Sequence, residues 1–515
     1  MRVTIRKLKA SATALWADTS GVILPYVTVL LVIFVGAGAL ALDGARSTSL
    51  QTQLQKGADA LAIAGAAELD RLSTSTSRAT SAINTLVTNS NLFTGANVTV
   101  SSIRFLSSIP ASDNTTISAV LCTNACTTAQ SIQARFVEVT VQPVSMPTIM
   151  PVQFLGSANS VTAGASAVAG MDQISCGLTP MFICNPFEQP GDTYDQATQR
   201  IEQADADPAF KRRLIRLADS NAPGASGTWG PGDFGYLFPE PGSLPTDSCF
   251  PGGQEIGRAM AIARPLICVR QNGIDLMPGN PTAALNGLNT RFGKYASGPL
   301  SNAACKTAYP PDQNIRTGFI PQGGGPNSWC SDNNADGQVT GAGIDWPPGP
   351  NNTALPADSC LLGQNNCSPI YNMGADSWNC EAYWAAAHPL RSGEKPAGCT
   401  AVTTTMSRYD MYVQEITNGW HNDAAATTPF ETGVPQCPGA PPTANRRLMD
   451  VAIVNCGSSP VPIQSNATNV PVAAFGRFFL THAVPTAGQT KPYAEFRGIL
   501  QRGAGIVYDQ VQLYR

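Results

Sequence analysis

Residues Gly21 to Leu42 read GVILPYVTVLLVIFVGAGALAL, twenty-two positions without one charged side chain. Wound as a helix at about 1.5 Å per residue, that stretch reaches about 33 Å, enough for a hydrocarbon core of about 30 Å. Arg2, Arg6, Lys7 and Lys9 precede it against Asp18 alone, and Asp43 follows it. Positive-inside counting therefore places residues 1–20 in the cytoplasm, 21–42 across a membrane and 43–515 outside. The alternative is a cleaved signal peptide, for which Ala39-Leu40-Ala41 offers a small-x-small site; an apolar signal core usually runs about 7–15 residues, shorter than this one.

The helical period does not stop at the span. Leu50, Leu54 and Leu61, with Gly57, Ala58 and Gly65, recur at three- and four-residue spacing, which predicts one helix running on to about Leu72. The small residues let a partner surface approach closely, so Gly57, Ala58, Asp59 and Gly65 are read as an interaction surface rather than an active site.

Three features of this region carry a resemblance: Gly21 with an apolar run holding Pro25, then Asp43-Gly44-Ala45-Arg46, then Gln53-Leu54-Gln55-Lys56-Gly57-Ala58-Asp59-Ala60-Leu61. The order and spacing resemble the N-terminal signature of the TadE/TadG-like proteins of Flp (tight-adherence) pilus assembly. Five residues after Gly21 stands Tyr26, where a prepilin-type leader would place Glu, so leader processing is not expected. The resemblance implies a single-pass bacterial inner-membrane protein, N-terminus cytoplasmic, whose periplasmic body contacts the inner membrane and other pilus-assembly proteins. The Asp-x-Ser-x-Ser metal motif of von Willebrand A domains, carried by many TadG relatives, is absent from the chain.

Beyond the helix, Asn97 to Leu106, Ala134 to Val141 and Ser160 to Val168 alternate with period two and are rich in Val, Ile and Thr, as half-buried strands are. Residues 43–170 thus read as the exported helix packed on a small β-rich domain, with Ser73 to Ser81 as a loop or polar helix end. Residues 171–515 read as a larger, loop-rich domain. There, helices are expected over Thr193 to Ser220, Ile256 to Arg270 and Arg408 to Ile416, and strands over Leu448 to Asn455, Ala473 to Thr481 and Gly505 to Leu513. The fold class is α+β.

The 14 Cys against 3 His decide the chemistry class. Cys122 and Cys126 lie four apart in a Thr-rich turn and can close a local ring. Cys176, Cys184, Cys249, Cys268, Cys305, Cys330, Cys360, Cys367, Cys380, Cys399, Cys437 and Cys456 all fall in the second part. No Cys-x-x-Cys occurs, which argues against zinc ribbons and thioredoxin-type motifs and for a disulfide scaffold. Sequence leaves the connectivity open; nearest-neighbour pairs such as Cys176 with Cys184 or Cys437 with Cys456 are the default expectation.

Charge excludes other classes. The 32 Lys+Arg and 35 Asp+Glu give a net charge of −3, so neither a nucleic-acid binder nor an acidic tail is expected. Gly230-Pro231-Gly232-Asp233-Phe234-Gly235 matches a dinucleotide loop by letters, but Pro removes an amide that a phosphate would use. Gly287 to Lys294 has the wrong glycine spacing for a P-loop, with Tyr295 where Ser or Thr should hold magnesium. Neither Gly-x-Ser-x-Gly nor His-Glu-x-x-His occurs, and no enzyme is expected. Asp332, Asn334 and Asp336, with Gly337, follow the first half of a calcium loop, though Gly343 stands where the bidentate Glu belongs. Calcium there is the sole cofactor expectation, beside an ordinary Asx-rich turn. Trp229, Trp346, Trp378, Trp384 and Trp420 sit among Gly, Pro and Asn; they either plug small cores or stack on sugars. The expected function is a non-catalytic membrane-anchored pilus-assembly component, with an adhesin or glycan-binding module as the alternative.

Overall fold

A computed structural model describes residues 23–514, apart from 88–97, 111–114, 150–158, 218–228, 240–246, 316–354, 423–443, 485–491, 501–506 and shorter stretches, chiefly between 356 and 404. The chain opens with helices α1 (Ile23–Ala66) and α2 (Ser75–Val87), then β1 (Val100–Leu106), β2 (Val120–Thr123), α3 (Thr128–Gln133), β3 (Phe136–Val141), β4 (Val144–Pro147), β5 (Ser160–Ala163) and β6 (Ser166–Cys176). It continues with β7 (Met181–Cys184), α4 (Tyr194–Ala206), α5 (Pro208–Lys211), β8 (Leu214–Arg216), β9 (Phe234–Leu237), α6 (Glu255–Ala261), β10 (Cys268–Arg270), β11 (Leu276–Met277), α7 (Thr282–Thr290) and α8 (Ala303–Ala308). The last elements are α9 (Cys380–Ala387), α10 (Arg408–Thr417), β12 (Leu448–Val454), β13 (Ala474–Leu480), β14 (Tyr493–Ile499) and β15 (Val507–Leu513). The α+β class expected from sequence is thus the one observed.

Helix α1 changes character at Asp43. From Tyr26 to Leu42 its large apolar side chains stand in the open, Phe34 and Val32 among them, and this stretch is long and apolar enough to cross a membrane. From Leu50 on, the period-3.6 stripe of Leu50, Leu54, Ala58, Leu61, Ala62 and Ala66 is buried. It packs with Ala79 and Ile83 of α2 on Ile103, Phe105, Val137, Val139, Ala167 and Ala169 of a sheet. The stripe is wide enough to bury one face while the other stays wet, and the alanines of β6 leave room for the helix to lie close. That sheet runs β10-β6-β3-β1-β2, with β15 also on β6.

A second, seven-stranded sheet runs β11-β9-β7-β12-β13-β14-β8, antiparallel except where β7 and β12 are parallel. Its inner strands bury apolar residues on both faces because both are covered. Met181 and Ile183 of β7 and Met449, Val451 and Ile453 of β12 join Ile201, Ile256, Met260 and Leu288 of α4, α6 and α7. The alternate residues Phe182, Ala452 and Val454 face Ile267, Val269, Val470 and Val507. β6 crosses position 170, and the late strands β10 and β15 pair with its residues 174–176 and 169–175.

Several local expectations are corrected. α1 ends at Ala66 rather than Leu72: the Leu72 amide donates to the Asp70 side chain and Arg71 takes a φ of 61°, an Asx turn that competes with the helix. Ser75–Val87 is a full helix. The expected helix over 193–220 stops at Ala206, where Asp207 caps a new turn opened by Pro208, and Leu214–Arg216 is a strand held by β14. The one over 256–270 stops at Ala261, and Cys268–Arg270 is a strand on β6.

The disulfides are both local and long-range. Cys122–Cys126 closes the expected small ring, but Cys176 pairs with Cys268 and Cys184 with Cys456, which corrects the neighbour pairings Cys176–Cys184 and Cys437–Cys456. Register explains both: Cys176 lies opposite Cys268 across β6 and β10, and Cys184 ends β7, whose parallel neighbour β12 leads into Cys456. Cys249–Cys305 and Cys380–Cys399 are also bonded, as is Cys367. Cys330, Cys360 and Cys437 lie outside the described residues.

Candidate functional site

The polar residues of α1 beside its buried stripe grip one edge of the body in succession. Asp43, itself buried, accepts the Ile149 amide on both carboxylate oxygens at 2.8 and 2.9 Å. Arg46 stands 3.7 Å from Asp43 and donates to the Pro147 carbonyl at 3.5 Å. Gln51 donates to the Gly164 carbonyl at 2.8 Å, and Gln55 to that of Ser166 at 3.1 Å. Gln55 also donates to Asp59 at 2.8 Å, which leaves Asp59 half-buried at the margin of the helix. The hairpin β4–β5 is thereby strapped along α1.

The small residues named from sequence lie further along the same helix. Ala58 is fully buried. A Cβ on Gly57 would sit 3.2 Å from the Val98 Cγ2, and one on Gly65 only 2.6 Å from the Ile83 Cδ1 and 3.4 Å from the Val137 Cγ1. Gly65 thus meets the chain's own helix α2 and sheet, Gly57 meets Val98 just before β1, and Ala58 belongs to the same buried cluster. The period pointed to them, whereas Asp43, Arg46 and Gln55 were legible only as signature letters and Gln51 was not singled out at all, because the partners of all four lie about a hundred residues away.

Behind α1 the turn 67–74 meets the second part of the chain. Ser73 donates its amide and hydroxyl to the Glu202 carboxylate, and buried Arg71 donates to the Gln271 carbonyl and the Asn272 side chain. Burial, reinforced by neighbouring Arg135 and only partly offset by Tyr194 and Asp172, pushes Arg71 down to about 10. Burial raises Glu202 above the usual carboxylate range, against the pull of the two Ser73 bonds. Beside the turn lies a cleft of about 330 Å³ lined by Glu68, Asp70, Arg78, Gln173, Phe475 and Leu500 among others. Arg78 pairs with Glu68 and Asp70; burial opposes its charge, but the two carboxylates outweigh it and hold the guanidinium above its ordinary value. The charges of this cleft answer one another, an arrangement that locks a turn in place.

A second titratable cluster is enclosed. His388 is fully buried, 2.9 Å from Glu415, whose carboxylate also accepts from Tyr383 at 2.5 Å and Asn314 at 2.6 Å. The Trp384 ring covers the His388 imidazole at 4.3 Å. A histidine so walled in has no face for a substrate. Among the described residues no group of three His, Cys, Asp or Glu side chains is placed to hold a metal ion; Asp332, Asn334 and Asp336 lie outside them, as does His482. Trp378 and Trp384 are core residues, and half-buried Trp420 and Trp229 pack on Trp384 at 5.1 Å and on Phe182 at 5.3 Å, so these four take part in packing; Trp346 lies outside the described residues.

Residues 21–68 match the family model described as "Putative Flp pilus-assembly TadE/G-like". The matched stretch is the span together with the docked half of α1. No curated protein and no solved structure matches the chain.

Proposed function

We infer that this chain is a non-catalytic, single-pass component of Flp/Tad pilus assembly, anchored by residues 21–42, with residues 1–20 cytoplasmic and a body of residues 43–515 that contacts other pilus or envelope proteins in the periplasm. The TadE/G-like match over residues 21–68 carries the reading, and an α1 that is exposed and apolar before Asp43 yet buried in its own body after Leu50 supports it. The inner membrane is the bilayer consistent with the basic flank Arg2, Arg6, Lys7 and Lys9. The body divides into residues 43–170, built on α1, and the disulfide-stapled residues 171–515, which lend β10 and β15 to the first sheet.

The test has two arms. Alkaline phosphatase fused after Arg515 should be active, and a mature N-terminus near Leu42 would instead identify a signal peptide. Deleting the protein should abolish surface pili, with other assembly components co-purifying on the restored full-length chain; normal piliation in the deletion strain would end the assembly reading.

A further inference from the structure

Asp43 is the first charged residue after the uncharged span, and its carboxylate is also the lowest clasp on the body. The contacts of α1 descend in order: Gln55 to Ser166, Gln51 to Gly164, Arg46 to Pro147, Asp43 to Ile149. Over these helix positions the rise is about 18 Å, and the hairpin β4–β5 follows it toward the span. Helical side chains lean toward the N-terminus, so the Asp43 carboxylate reaches back over the final turn of the apolar stretch. It delivers Ile149 to the height where Leu40 and Leu42 stand 61% and 57% exposed. Ile149 is itself 54% exposed. The opposite charges of Asp43 and Arg46, 3.7 Å apart, leave the clasp without net charge.

We propose that Ile149 is a second membrane contact, seated in the boundary between headgroups and acyl chains of the bilayer that α1 crosses, with Asp43 as the positioning residue that holds it there. The proposal rests on the reading of residues 21–42 as a membrane span. An exposed aliphatic side chain at this height loses water contact by entering the interface. A lone helix is free to turn about its axis; a second contact fixes which side of the body faces the membrane and which is presented to assembly partners.

The experiment places the photo-crosslinker p-benzoylphenylalanine at Ile149, at Leu42 or at Val413, an exposed apolar residue of α10, in the full-length protein reconstituted in phosphatidylcholine and phosphatidylglycerol vesicles. Lipid adducts are counted by mass spectrometry. Adducts at 149 should approach those at 42 and exceed those at 413 by about tenfold, as an interfacial residue requires. Asp43→Ala should cut the adducts at 149 severalfold and leave those at 42 unchanged, while Asp43→Asn, which keeps an acceptor oxygen, should retain most of them. Adducts at 42 with none at 149 would overturn the second contact and leave the span intact; adducts at neither position would overturn the span itself. Crosslinks from 149 to protein in place of lipid would assign the residue to a protein partner and end the proposal, and an unchanged signal in Asp43→Ala would remove the positioning role.

Discussion

Gly65→Leu is the sharpest test of how α1 is joined to the body. Helix propensity favours the change by about 0.8 kcal/mol, since Gly is among the worst helix formers and Leu among the best. Packing opposes it. The Cβ alone would stand 2.6 Å from the Ile83 Cδ1 and 3.4 Å from the Val137 Cγ1, against about 3.5–4.0 Å for carbon atoms in contact, and both residues are fully buried. Three further carbons have no room either, so the upper part of the usual overpacking range, about 3 kcal/mol, applies. The net cost is about 2 kcal/mol, which multiplies the undocked population of α1 by about 30. Gly44→Ala is the control: nothing lies within 4 Å of a Cβ there, so it should stabilise by about 0.8 kcal/mol. Hydrogen exchange followed by mass spectrometry on the full-length protein in detergent micelles reads both. Protection of the amides from Leu50 to Ala66 should fall about thirtyfold in Gly65→Leu and hold or rise in Gly44→Ala. Equal protection in the two variants would refute the docking argument.

Four other outcomes are expected. Alkylation without reductant should label none of the eleven described cysteines, and removing Cys184–Cys456, which closes 272 residues, should cost about 2–5 kcal/mol; extensive labelling would undo the scaffold. Glu202 has a raised folded-state pKa, so its contribution is fully present below the unfolded value of about 4.3 and is lost as pH rises through the folded one; relative to the wild type, Glu202→Gln should gain Tm at neutral pH and little at pH 4, and parallel profiles would contradict this. Arg408, fully buried between Asp358 at 2.7 Å and Glu495 at 2.8 Å, should cost about 3–5 kcal/mol when replaced by Ala, because two buried carboxylates are left unpaired; a thermal melt within a degree of wild type would show that water takes its place. If the Asp332 loop holds calcium, a free concentration ten times the dissociation constant should stabilise by about 1.4 kcal/mol, and the rise should vanish in Asp332→Ala and Asp336→Ala; melts identical with chelator would leave the loop without an ion.

What the sequence determined by itself is the part of the molecule whose physics is local. Twenty-two uncharged residues specify a span by length and transfer energy alone, and the stripe from Leu50 to Ala66 specifies which face of α1 is buried, because a helix closes its own hydrogen bonds and its period shows directly in the letters. The helix starts expected at Thr193 and Arg408 are local too, each held by a capping box, at Thr193 and Ser407, within four residues. Tertiary structure decided whatever needs a distant partner. Leu214–Arg216 is a strand because β14 offers it an edge, and Cys268–Arg270 because β6 does, against a helical pattern in their own neighbourhoods. Cys184 finds Cys456 through the parallel register of β7 and β12, information no spacing of cysteines contains. Asp43 and Ile149 are 106 residues apart; the charge after the apolar run is plain in the sequence, but that it holds the segment following β4 emerges only once β4 and β5 are laid along the helix.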